Sequence, residues 1–241
     1  MGKEIKAFVV NSRAYDDGDR DLGEWVSFPI SKEDMKSIYD RIGIDGIYFK
    51  EVFLNNFKTD VAGLINVLNV HTDIDELNYL ALCLSELPPS ELAKLDAIAE
   101  TDPFKDIRLF IDFVPNMDCY VLVEGVGNTE DLGNYYLYKS GMVEMPEEWK
   151  SGIDPETFGG HIQKEELGEF TKAGYLIDSG DTWTNLYKGK GDIDKDLLIS
   201  PKAVFKSLEK EKGSLIKQLG KSKNQIDKPL NPTHKKSDIE R

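Results

Sequence analysis

The residues of this chain that could do chemistry are its carboxylates, so their spacing is read first for a bound cation. Asp17, Asp19 and Asp21 alternate, as do Asp192, Asp194 and Asp196, which is how a calcium-binding loop opens. Such a loop needs glycine at its sixth position for a sharp turn and a bidentate Glu at its twelfth. Here the sixth positions are Leu22 and Leu197 and the twelfth are Phe28 and Ala203, so neither run meets the requirement. Gly125-Val-Gly127 lacks the third glycine and the following basic residue of a phosphate loop. There is no Walker A, HExxH or GxSxG pattern. His71, His161 and His234 stand alone in sequence and read as surface or capping residues. Cys83 and Cys119 form no CxxC pair, and Cys83 falls within an apolar helical stripe that suits a buried thiol. Nothing local argues for an enzyme, a cofactor or a metal.

What remains is charge, and it is unevenly spread. Residues 1–187 hold 16 Lys and Arg against 36 Asp and Glu, a balance of −20, while residues 188–241 hold 14 against 8, a balance of +6. An acidic body repels nucleic acid and most membrane surfaces and attracts basic ones; the basic tail is a separate question. Two long windows contain acids only: six between Lys58 and Lys94, and five between Arg108 and Lys139. Helix surfaces ordinarily interleave the signs, because Glu–Lys pairs one turn apart are mildly stabilising. B-form DNA carries one charge per about 1.7 Å of axis. On that scale the 36 carboxylates match the phosphates of about 18 base pairs, and a dimer would double the figure.

The elements that must position these acids can be read from apolar spacing. Lys6–Val10 suits a first strand, and residues 11–23 a polar turn region. Trp25, Phe28 and Ile30 mark a second strand that stops at Pro29, since proline cannot donate to a ladder. Ser31 then caps a helix with Met35, Ile38 and Ile42 on one face and Glu33 and Asp34 at its positive end. Residues 47–53 read as a third strand. Thr72 is placed as the cap of a helix carrying Ile74, Leu77, Leu84 and Leu87, stopped by Pro88-Pro89, and Ser90 as the cap of another with Leu92, Leu95 and Ile98. Residues 107–114 and 119–123 read as strands, Thr129 as the cap of a helix through Tyr135 and Tyr136, and residues 144–149 as the opening of a short helix. Asp154-Pro155 reads as a cap before an N1 proline, and residues 174–177 as a last strand. Residues 188–196 look like a linker, Ser200-Pro201 could start a helix continuing through Leu208, Leu215 and Leu219, and the composition of residues 220–241 predicts disorder.

These readings predict an α+β protein built as an elongated chain of three small modules: a sheet-plus-helix unit over 1–60, a helical middle over 61–101 and a sheet-plus-helices unit over 102–187. A basic linker and tail would fill 188–241. No apolar run approaches the roughly 20 residues that span a bilayer, and no secretory signal is visible; with two cysteines outside any disulfide framework, a cytoplasmic protein is expected.

The wording of several segments resembles the ArdA-type antirestriction proteins. Residues 22–30, Leu-Gly-Glu-Trp-Val-Ser-Phe-Pro-Ile, follow an Asn11-x-x-x-Tyr15 opening, with Gly23, Trp25 and Pro29 in the places expected ahead of the first helix. Leu132-Gly133-Asn-Tyr-Tyr136, Glu144-Met-Pro-Glu147-Glu148-Trp149, Gly152-Ile-Asp154, Phe158-Gly159 and Gly174-Tyr175 then follow in the order of that family's C-terminal module. The match spans about residues 5–180. It implies a strongly acidic homodimer that imitates bent B-form DNA, occupies the DNA-binding groove of Type I restriction-modification enzymes and protects mobile genetic elements. The middle helices are less acidic than the resemblance leads one to expect, and the tail from Lys188 is an addition.

On this reading the displayed acids are Asp16, Asp17, Asp19, Asp21, Glu24, Glu33 and Asp34 in the first module and Asp73, Asp75, Glu76, Glu86 and Glu91 in the middle. The third supplies Asp112, Asp118, Glu130, Asp131, Glu144, Glu147, Glu148, Asp154 and Glu156. A competing reading makes the acidic body a binding module and the basic tail a tether to nucleic acid or a partner protein, and a third lets the tail fold back on the body and screen it.

Overall fold

The computed structural model describes residues 3–206. β1 (Ile5–Asn11) buries Ile5, Ala7 and Val9 in alternation, as a strand with one covered face must. Asn11 then caps a short α1 (Ser12–Asp16), its side chain accepting from the Ala14 N–H, so a helix stands where the sequence suggested only a turn. β2 (Gly23–Phe28) buries Val26 and Phe28; Trp25 lies on the opposite face, 41% exposed, against Phe8 and under Lys58. Trp25 therefore belongs to the outer surface of the sheet and not to its core.

Ser31 caps α2 (Lys32–Arg41) through the Asp34 N–H, and Met35, Ile38 and Tyr39 are buried beneath it. The third strand arrives later than its sequence suggests, as β3 (Val52–Thr59). Residues 47–49 are held in a turn because the Asp45 carboxylate accepts the N–H groups of Ile47, Tyr48 and Phe49 at 2.8, 2.8 and 2.9 Å. The sheet runs β2-β1-β3, antiparallel throughout, with Asn56 bulged at φ +51 where the β1–β3 register slips.

The middle helices are α3 (Ile74–Ser85) and α4 (Pro89–Thr101). α3 is capped by Asp73, one residue after the expected Thr72, and α4 starts at Pro89 with Pro88 in the cap position, where Ser90 was expected. Residues 107–113 are a helix, α5 (Ile107–Phe113), and not a strand. The run Ile-Arg-Leu-Phe-Ile-Asp-Phe is apolar enough for a buried element of either kind, and Asp106 decides it by accepting from the Arg108 and Leu109 N–H groups.

A second sheet, ordered β4-β6-β5, joins β4 (Tyr120–Glu124), β5 (Glu169–Phe170) and β6 (Gly174–Asp178). Between β4 and β5 lie α6 (Thr129–Tyr138), capped by Asn128, α7 (Glu147–Lys150), and α8 (Pro155–Glu166), capped by Asp154 as expected. α6 and α8 meet at two glycines. A Cβ on Gly133 would stand 1.9 Å from the Pro155 carbonyl oxygen, and one on Gly159 1.9 Å from that of Thr129. The last described helix is α9 (Pro201–Val204), and the positions expected to prolong it, Leu208, Leu215 and Leu219, lie outside the described residues.

One apolar core runs from the first sheet and α2 through α3, α4 and α5 to Leu176 of β6, crossing the boundary expected at residue 60. A smaller one, of Val123, Val126, Leu132, Tyr136 and Tyr175, joins the second sheet to α6 and α8. The stretch expected to be a linker is folded onto the larger core. Ile199 and Phe205 are buried members of it, the Tyr39 hydroxyl donates to the Ile199 carbonyl at 2.9 Å, and Phe205 packs on the Gly46 backbone.

Candidate acidic interface

The acids of residues 16–34 lie at the surface of the first unit, Glu24 in part. Asp16 and Asp17 end α1, Asp19 and Asp21 follow in the loop to β2, and all four are exposed, as are Glu33 and Asp34 in the first turn of α2. Asp17 is paired with Arg13 at 3.1 Å. Glu24, half-buried on β2, accepts from Arg41 Nη2 and Nε at 2.7 and 2.8 Å, and that bidentate hydrogen bond holds its carboxyl below the usual carboxylate range.

The middle acids do something else. Asp75 and Glu76 are buried, and so is Asp112 on α5; these three correct the expectation that they are displayed. The Asp75 carboxylate accepts the N–H groups of Ile199 and Ser200 at 2.5 and 2.7 Å and pairs with Lys190, which also reaches Asp73 at 3.1 Å. Burial works to lower the pKa of Lys190, but the hydrogen bonds and charges of Asp75 and Asp73 outweigh it and the ammonium is raised. Glu76 accepts from the Tyr187 hydroxyl at 3.1 Å and faces Arg108 at 3.7 Å. Asp112 accepts the Leu186 and Tyr187 N–H groups at 2.9 and 2.7 Å. The buried acids of the cation-free windows are therefore answered in space by Arg108, Lys190 and donors of residues 186–200. Glu91 is half-buried and paired with Lys94 at 2.9 Å, and Glu86 is exposed.

In the third unit the acids return to the surface: Asp118, Glu130, Asp131, Glu144, Glu147, Glu148, Asp154 and Glu156 are all exposed. The contact between Gly133 and Pro155, and between Gly159 and Thr129, packs the first turns of α6 and α8 on each other. Glu130, Asp131, Asp154 and Glu156 thus stand on two adjoining helix starts, the ends at which helix dipoles favour negative charge. Asp154 is held below the usual carboxylate range by the hydroxyl and backbone N–H of Thr157. Glu100, Glu124, Glu165 and Asp178, which the sequence did not single out, are exposed as well.

His71 and His161 are exposed, and His234 lies outside the described residues. Among the described residues no three His, Cys, Asp or Glu side chains are grouped to hold a metal ion, and no helix is long and apolar enough to cross a membrane.

The residues carrying the resemblance have structural work. Gly133 and Gly159 permit the α6–α8 contact, and Gly174, at φ +152, passes 2.3 Å (as a Cβ would) from the Val123 carbonyl oxygen. Tyr136 and Tyr175 are buried in the smaller core beside Leu132, while Pro29 ends β2. Compared with known families, residues 7–177 match a family model described as antirestriction protein (ArdA). No curated protein matches the chain. The matched residues cover most of the molecule and include both sheets and the helices between them, and so this chain belongs to the ArdA antirestriction proteins, a family of restriction inhibitors.

Proposed function

We propose that this chain blocks restriction as a DNA mimic, presenting carboxylates to the Lys and Arg side chains with which a Type I restriction-modification enzyme grips DNA phosphates in its binding groove. The observation that carries this reading is the division of labour among its acids. Buried acids hold the fold together, while those of residues 16–34 and 118–156 are left almost wholly at the surface. Phosphate contacts position a DNA-binding protein without reading sequence, so a mimic needs spaced negative charge and no chemistry of its own. A cytoplasmic homodimer, as the family resemblance implies, would lengthen the charged surface; sedimentation at micromolar concentration tests that part.

The direct test is competition at low salt between the full-length protein and a DNA duplex for the methyltransferase core of a Type I enzyme. Displacement of the duplex that fades as salt rises is expected. Failure to displace it, or displacement indifferent to salt, would sink the proposal.

A further inference from the structure

We infer that this chain has a second binding site, for a nucleoside polyphosphate, in a cleft of about 840 Å³ between the start of β3, the turn before α3 and residues 190–206. Its walls hold Lys32, Lys50, Lys190, Lys195, Lys202 and Lys206, an unexpected gathering in a chain of net charge −14. Four of these lysines come from residues 190–206, and the fold brings Lys32 and Lys50 beside them from two other stretches. Lys190 is committed to Asp73 and Asp75, and Lys32 donates to the Lys195 carbonyl at 3.1 Å. Lys50, Lys195, Lys202 and Lys206 enter no ion pair among the described residues, and Glu51 is the one other carboxylate in the wall. Like charges held together repel, and an anion between them relieves that repulsion.

The rest of the wall narrows the class of anion. Phe53, Val70 and Leu198 give the cleft an apolar side, which inorganic phosphate would leave uncovered. A nucleoside polyphosphate has both parts: a flat base to lie on apolar side chains and phosphates for ammonium groups, which bind them as point charges. The cleft is also within the volume range of small-molecule sites. A long polynucleotide fits the charge less well, because its phosphates beyond the cleft would run along an acidic body that repels them.

The test is calorimetric titration of the full-length protein at low salt with magnesium-free ATP, pyrophosphate and adenosine. ATP is expected to bind saturably, one per chain, and more tightly than either of the others. The exposed pair K50Q/K202Q should weaken ATP binding by about tenfold, two surface charge contacts' worth, with an unchanged melting temperature. K139Q, exposed at the end of α6 and outside the cleft, should leave binding within about twofold. Three results would overturn the assignment: no saturation by ATP, pyrophosphate binding as tightly as ATP, or K139Q weakening binding as much as the cleft pair does.

Discussion

Asp75 and Ile199, separated by 124 positions in sequence, are joined by a 2.5 Å hydrogen bond from the Ile199 N–H to the Asp75 carboxylate. Both residues are buried. The same carboxylate takes the Ser200 N–H and Lys190, so one acid of α3 satisfies three donors from the end of the described chain. Removing it leaves the Ile199 and Ser200 amides short of a partner, while Lys190 keeps only Asp73. Asp75→Ala should therefore destabilise the protein by about 3 kcal/mol, and Asp75→Asn, which keeps the shape and one acceptor, by less. Urea unfolding measures both; a neutral Asp75→Ala would show that this tie carries no energy.

The two glycines between α6 and α8 meet backbone carbonyls, which cannot swing aside as a side-chain tip can. Gly133→Ala and Gly159→Ala should each cost about 3 kcal/mol, the upper end of overpacking. Loss should show first as protease cleavage within residues 129–166, where α6 and α8 separate. Variants as resistant as the parent would mean that the helices can slide apart freely.

Truncation tests the described part of the basic stretch, where Ile193, Ile199 and Phe205 are buried, separately from the residues after Lys206. A chain ending at Lys206 should keep its melting temperature and its inhibition of restriction. One ending at Tyr187 loses Ile193, Ile199 and Phe205 from the core and leaves Asp75 without its donors, so it should melt well below the parent. If the chain ending at Lys206 loses inhibition while staying folded, the residues beyond it act as a tether and the competing adaptor reading gains; if it inhibits better, they screen the acidic surface.

A mimic that spreads its affinity over many exposed carboxylates should be insensitive to losing one. Asp118→Asn or Glu130→Gln alone should change inhibition by less than about threefold, as exposed ion pairs are worth little. Neutralising Asp16, Asp17, Asp19 and Asp21 together should weaken it more than any single change and flatten its salt dependence. A single exposed acid whose loss abolishes inhibition would point to a specific contact instead.

The phenol of Tyr175 is pushed up to about 12 by burial and by the charge of Glu166. Folding therefore favours its protonated form, so its contribution is intact below pH 10, its ordinary value, and is lost as pH rises from 10 towards 12. Stability should fall across that window, and Tyr175→Phe should fall less steeply because it has no proton to lose there. Parallel slopes in parent and variant would show that Tyr175 titrates normally.

Elements marked by local chemistry were legible in the sequence. Ser31 ahead of Glu33 and Asp34, and Asp154 ahead of Pro155, announce helix starts that the structure keeps. Where a run is apolar on every side, periodicity is silent, and residues 107–113 became a helix through an aspartate cap one place upstream. The acids were harder. Asp75 and Asp112 read as surface residues because the groups that answer them lie 74 to 125 positions away, and nothing in their neighbours signals such donors. The lysine-lined cleft was invisible for the same reason: its walls come from residues 12–54, 70–74 and 190–206.

The lashing of residues 186–206 across α3 and α5 also sets an order of events during synthesis. Tyr39 finds Phe205 and Ile199 as neighbours only after some 160 further residues have been made, which at about 5–20 residues per second is on the order of ten seconds. Until then the front of the nascent chain carries an unfinished apolar face, with Gly46 uncovered and Asp75 without its donors. The last described turn acts as a latch whose arrival closes the first core, so a ribosome that stalls before it leaves behind a front half that is sticky and easily degraded.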